Sequence, residues 1–281
     1  MGDAGSNPDA KDSILTAKTT FLNNFLNDVG NSVHSMNSIS VALSSLTEST
    51  SVPKGLNISW NVGSVQATKE MSRNFAIRST IVYVSESLTE YLKAISKSPL
   101  WNDANKIFSQ MAGDGKALKK YNFLVGINNI EEEWPILVEL MEHWRNRVVH
   151  SYTSNAKLSS KKRQKLRSLK SKIKSELHSF DIDEALNNFE KNKNTLKDVS
   201  TLSSVAIKCA RAVEDYYLSI LPDEKNIDLY IELLKKDENF NRISLQQKSE
   251  KKIRQIKKWL EINYDYLEER IKDSILEKVC K

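Results

Sequence analysis

Glycine and proline are scarce, at eight and five residues in a chain of 281. Long stretches therefore run without a strong breaker, which disfavours a strand-and-turn architecture and favours helices. The two cysteines, Cys209 and Cys280, are too few and too scattered for a disulfide framework or a thiolate metal site. A reducing interior suits them. No run of about 18 apolar residues occurs, and the opening MGDAGSNPDAKD lacks the apolar stretch of a secretory signal. These absences describe a cytosolic chain with no membrane segment. Gly2 and Ser6 do fit a loose myristoylation pattern, but no polybasic second signal follows and chance accounts for the match. Histidine is rare too. Of the four (His34, His143, His150 and His178), two stand seven residues apart.

What is present is a helical pattern. Hydrophobic residues make up 40% and charged residues 28%, the balance of a globular protein, and the length allows one elaborated domain or two smaller ones. The net charge of +6 permits a polyanionic partner without requiring one. Residues 1–12 are small, polar and acidic, and read as disordered. Residues 13–48 read as helical with a break at Gly30, and ESTSVPKGLNISW (48–60) as a loop. Over 64–97 the positions Ile77, Ile81, Val84, Leu88, Tyr91, Leu92 and Ile95 recur at helical spacing, and Ser98-Pro99 ends that helix. A short helix is expected over 101–111. GDGK (113–116) lacks the spacing of a phosphate-binding loop and reads as a turn.

IEEEWP then opens a helix running to about His150, with acidic residues and Pro135 in its first turn. Leu166, Leu169, Ile173 and Leu177 form one stripe in a basic segment over 157–178, and another apolar helix spans 196–221. A last helix begins near 245. Its stripe (Ile253, Ile256, Leu260, Tyr264, Leu267, Ile271, Ile275) extends for about three heptads. Such a stripe fits packing within the chain or a helix-to-helix dimer seam. The expected fold is therefore an all-α helical bundle. It divides into a disordered 1–12, a bundle over 13–155, and a C-terminal helical extension over 156–281 that is separate or packs on the same core.

The helix ending at His150 can be unrolled at about 100° per residue. Leu137, Leu140, Met141, Trp144 and Val148 share one arc and form its core face. Glu139, Glu142, His143, Asn146 and His150 share the opposite arc, with Asn146 and His150 four apart and able to touch. Arg145 lies at the edge of this face, roughly 140° from His150 on a regular helix. A distorted helix end or a second subunit would shorten that gap. The residue types suit a phosphodiester. A guanidinium grips phosphate and stabilises developing charge, and an imidazole moves a proton to or from the 2′-hydroxyl or the leaving 5′-oxygen. No persuasive set of metal ligands and no cofactor motif accompanies them. From spacing alone, however, an Arg and a His on one helix are more often solvated surface.

The motif adds to this. Arg145, Asn146, three residues, His150, one residue, Tyr152 resembles the signature of the HEPN (higher eukaryotes and prokaryotes nucleotide-binding) superfamily. It is also similar to the Arg-x4-His-x-Tyr form of HEPN toxins paired with a nucleotidyltransferase antitoxin. The resemblance covers about residues 64–155. It implies a helical bundle, a homodimer with two motifs facing one cleft, and metal-independent RNA cleavage leaving a 2′,3′-cyclic phosphate. It further implies a role as a toxin or abortive-infection effector with an antitoxin or sensor partner. Arg145 and His150 become the catalytic pair and Asn146 the positioning residue. Glu142 supports them, and Tyr152 matches the tyrosine that paired antitoxins modify with AMP. The small toxins are about half this length, so the flanking helices lie outside the resemblance.

In the segment KLSSKKRQKLRSLKSKIK (157–174), Lys161, Lys162, Arg163, Lys165 and Arg167 are candidates to track RNA into the cleft. A solvated helix face is the plainer alternative. KSEKKIRQIKK (248–258) has no motif beside it and reads as ordinary surface. Trp134 and Trp144 read as core anchors, and His34 and His178 as surface or packed side chains. The competing function is a non-catalytic helical adaptor or antitoxin-like module that binds partners through its C-terminal stripe.

Overall fold

The computed structural model describes residues 18–60, 63–101, 115–150, 157–221 and 227–281. All regular structure among them is helical, in twelve helices. The chain divides into two compact units, one formed by residues 24–219 and the other by residues 1–23 with 220–281. The expected division near 155 is thus displaced to about 219, because the helices after the motif join the core that carries it. The expected disordered 1–12 and all but Trp101 of the expected helix 101–111 lie outside the described residues, as do Gly113 and Asp114 of GDGK.

In the larger unit, α1 (Thr20–Ser44, its first residues grouped with the smaller unit) and α2 (Val65–Ser96) run antiparallel. Lys69 meets the Ser44 carbonyl at one end, and the Phe25 and Tyr91 rings meet 5.6 Å apart at the other. Helix α1 passes through Gly30 without the expected break. The glycine is exposed and a Cβ there would meet nothing within 4 Å, so neighbouring turns carry the helix through. Ser64 caps α2 by accepting the Ala67 N–H, and all seven stripe positions from Ile77 to Ile95 are buried.

Helices α3 (Lys116–Val125) and α4 (Glu133–Val149) follow, with Pro135 in the first turn of α4 where its missing N–H costs nothing. The basic segment forms two short helices, α5 (Ser160–Ser168) and α6 (Lys170–Glu176). The Ser168 hydroxyl bonds the Lys165 carbonyl and Leu169 leaves α-geometry, yet Leu166, Ile173 and Leu177 all stay buried. Helix α7 (Ile182–Glu190) was not anticipated, although Asp181 is a strong start signal that accepts from the backbone of Asp183 and Glu184. Helix α8 (Leu196–Ser219) packs on α2 and α4, and Tyr91 of α2 donates to the Ala210 carbonyl at 2.9 Å. Helix α4 touches α2, α3, α5 and α8.

The smaller unit holds α9 (Ile227–Leu234), α10 (Glu238–Ser244), α11 (Glu250–Asn263) and α12 (Glu269–Cys280). The expected continuous stripe from Ile253 to Ile275 is broken. Tyr264 takes φ −142°, ψ 47°, the Asn263 amide captures the Trp259 carbonyl, and the chain folds back so that α12 packs on α11 and α9. Leu260, Leu267, Ile271 and Ile275 are consequently buried within this unit. Of the two uses the stripe allowed, it serves packing within the chain. Among the described residues, no helix is long and apolar enough to cross a membrane.

Candidate active site at the end of α4

The expected apolar face of α4 is in place: Leu137, Leu140, Met141 and Trp144 are buried, and Trp144 packs edge-on against Phe189 at 5.5 Å. The opposite face departs from expectation. Glu142 is fully buried, where its carboxylate meets the Lys120 ammonium and the Ser85 hydroxyl, and Lys120 also donates to the Ser85 carbonyl at 2.8 Å. Glu139 is buried between Lys162 and His143. Burial pushes its carboxyl upward, but bonds from His143 and Lys162 outweigh that and hold it below the usual carboxylate range. Glu142 is therefore not an open neighbour of His150. It belongs to the interior that seats α4 on α2 and α3. The polar face predicted by periodicity is covered because α3 and α5 pack over it.

The motif proper sits on the last turn. Arg145 reaches α2, where Nη2 pairs with Glu86 Oε1 at 2.6 Å and Nη1 donates to Asn146 Oδ1 at 3.1 Å. Its Nε is buried with no hydrogen-bond partner among the described residues. Arg145 and Asn146 are thus brought together, with the guanidinium turned toward α2. Arg147 serves packing instead: it donates to the Phe189 carbonyl and lies 3.7 Å from that ring's centre. Helix geometry ends at Val149. His150 caps α4 at φ −120°, ψ 50°, with its N–H on the Asn146 carbonyl at 2.8 Å and its side chain exposed. Leu177 and Tyr264 end their helices with similar dihedrals, so this is an ordinary helix end. Tyr152 lies outside the described residues.

Beside this turn, Val148 lines a groove of about 720 Å³ with Met71, Phe75, Arg78 and Tyr83 of α2. Phe75 is 71% exposed and Tyr83 65%, an unusual display for two aromatics on one helix. Glu86 and this groove were missed from sequence. The available signal was that Met71, Phe75, Tyr83 and Glu86 fall on one arc of α2, well away from its buried stripe.

The basic segment is largely neutralised. Six of its nine cations from 157 to 174 meet carboxylates: Lys162 with Glu139, Arg163 with Glu190, Lys165 with Glu132, Arg167 and Lys170 with Asp183, and Lys172 with Glu131 and Glu133. Of the five candidates for RNA contact, only Lys161 is exposed with no ion pair among the described residues. A shallow groove of about 670 Å³ lies there, lined by Tyr121, Ser159, Lys161, Lys162 and Lys165. Trp144 is a core anchor as expected; Trp134 is half-buried with Lys208 over its ring. Among the described residues, no group of His, Cys, Asp and Glu converges as a metal site. No family model, no curated protein and no solved structure matches the chain.

Proposed function

We propose that the protein is a metal-independent endoribonuclease of HEPN type that works as a homodimer, serving as a toxin or abortive-infection effector. One observation carries the reading. An Arg–Asn–x3–His set occupies the end of a central helix, with its imidazole exposed and its guanidinium held against α2 beside a groove lined by exposed aromatics.

In the proposed reaction the RNA 2′-oxygen attacks the adjacent phosphorus while an imidazole takes its proton. The O2′–P bond forms, the P–O5′ bond breaks, and the 5′-oxygen leaves with a proton from an imidazolium, so the product ends in a 2′,3′-cyclic phosphate. Arg145 stabilises the charge on the phosphoryl oxygens. The exposed face around Phe75 and Tyr83 is where a second copy would bring the partner's His150 to the same phosphate. Glu142, Lys162, Arg163, Lys165 and Arg167 act in this reading through the fold, by fixing α4 and α5, and an antitoxin or sensor partner would act on the assembled dimer.

The test is direct. Arg145→Ala and His150→Ala should each abolish RNA cleavage and growth inhibition with an unchanged circular dichroism spectrum, and cleavage by the parent should survive EDTA. Full toxicity in the double variant would sink the proposal. The adaptor alternative would need a surface other than the C-terminal stripe, since Leu260, Leu267 and Ile271 are buried in the smaller unit.

A further inference from the structure

Charge is unevenly laid out in the smaller unit. From residue 239 to residue 260 the sequence carries seven Lys or Arg and one carboxylate, Glu250. Ile256 and Leu260 bury one side of α11 among its neighbours α10 and α12, which turns the other side to water. On that side Lys251, Arg254 and Lys258 are exposed, fall within roughly 60° of one another and span about 10 Å of helix. Lys248, also exposed, stands just before the Ser249 cap. None of the four makes an ion pair among the described residues. The Glu269 carboxyl is held below its ordinary range by the hydrogen bond and charge of Lys272, with Lys257 on the flank adding a smaller share.

The contrast with the earlier basic segment is the informative point. There, six of the nine cations are matched by carboxylates in or just before α4 and on α7. Here, three cations share one exposed helix face with Lys248 just before it, and none is ion-paired among the described residues although the exposed Glu250 and Glu261 stand on the same helix, so their mutual repulsion is left for an outside anion to relieve. Sequence reasoning ranked the two clusters the other way, because it weighed proximity to the motif and could not see which charges the fold neutralises.

We infer that Lys248, Lys251, Arg254 and Lys258 form a phosphate-tracking face through which the smaller unit binds the backbone of single-stranded RNA. The inference rests on the proposed ribonuclease reading for its choice of polyanion. An anionic membrane is the poorer fit. The apolar side of α11 is already buried, and the exposed apolar residues near the face, Leu245 and Ile262, stand singly at its two ends.

The experiment uses the full chain in a His150→Ala background, so that binding is read without cleavage. Fluorescence anisotropy follows a labelled oligouridine from about 50 to 200 mM salt. Combining Lys251→Gln, Arg254→Gln and Lys258→Gln should weaken binding about tenfold or more and flatten the slope of log K against log salt by about 2. A charge-matched control combines Lys235→Gln, Lys278→Gln and Lys281→Gln, whose cations pair with Glu232, Asp228 and Glu277. It should retain the parent's affinity. Parent-like binding by the first triple variant overturns the inference. So does an equal loss in both triple variants, or a loss confined to phosphatidylserine vesicles, or no RNA binding by the His150→Ala parent. The ribonuclease reading fails separately, by cleavage that persists without Arg145 and His150.

Discussion

Replacing Lys120 with methionine isolates the charge at the heart of the larger unit. Lys120 and Glu142 are 1% and 0% exposed at their side chains, so neither ion has water to fall back on. Methionine nearly matches the lysine stem in volume, and the packing cost should stay below about 1.5 kcal/mol. The main loss comes from the orphaned carboxylate, about 3–5 kcal/mol for breaking a buried pair from one side. With a urea slope of about 2 kcal/mol per molar, a loss of that size moves the unfolding midpoint down by about 2 M. Far-UV circular dichroism in urea reads the shift. Adding Glu142→Met should restore most of it, since removing both charges costs far less than removing one. A Lys120→Met shift corresponding to less than about 1 kcal/mol would refute the reasoning. A double variant no better than the single one would also refute it, because the loss would then belong to packing.

The remaining predictions concern the site, the pH response and two expectations that the structure revised. Glu86→Gln keeps an acceptor for Arg145 and should cleave RNA at close to the parent rate, whereas Glu86→Leu frees the guanidinium and should lower kcat about tenfold; an unaffected Leu variant would dismiss Glu86 as a positioning residue. Glu139 has its carboxyl held low by His143 and Lys162, so its contribution to stability is present above the ordinary glutamate pKa and is lost as pH falls through the lower folded value. Lys162→Met should therefore destabilise at neutral pH, and urea melts across the pH range should show its difference from the parent closing as pH falls below the ordinary glutamate range. Gly30→Ala should stabilise by about 0.5–1 kcal/mol, measured as a raised Tm, because the helix is already formed there and nothing opposes a Cβ. Leu260→Ala should cost about 2–5 kcal/mol in urea melts, the signature of a core position and not of an open docking stripe.

Periodicity read the long amphipathic helices well. The stripe from Ile77 to Ile95 and the core face of α4 are buried as their spacing required, because a helix with one apolar face has few ways to satisfy it. Short helices were harder: α7, α9 and α10 span two turns or so, too little for a period to emerge, and only caps such as Asp181 and Asp237 announced them. The break after Asn263 was invisible because the heptad spacing continues across the turn. At the site, Arg145 and Asn146 could be paired from their adjacency, but Glu86 lies 59 positions earlier in the chain and is joined to Arg145 only by the packing of α2 on α4. Likewise the polar arc of α4 looked solvent-facing, since sequence cannot tell that Lys120 and Lys162 arrive from other helices to cover its carboxylates.

Those carboxylates have a consequence for how α4 is indexed along its axis. Glu133, Glu139 and Glu142 are each met by a lysine from a different helix, Lys172, Lys162 and Lys120. Apolar ridges alone would let a helix slide by a turn, about 5.4 Å, into a second set of similar grooves. Sliding α4 by that amount would strand three buried anions together. The lysines therefore admit one axial setting, and with it one height at which Arg145 meets Glu86. The motif takes its place in space from charges that lie outside it.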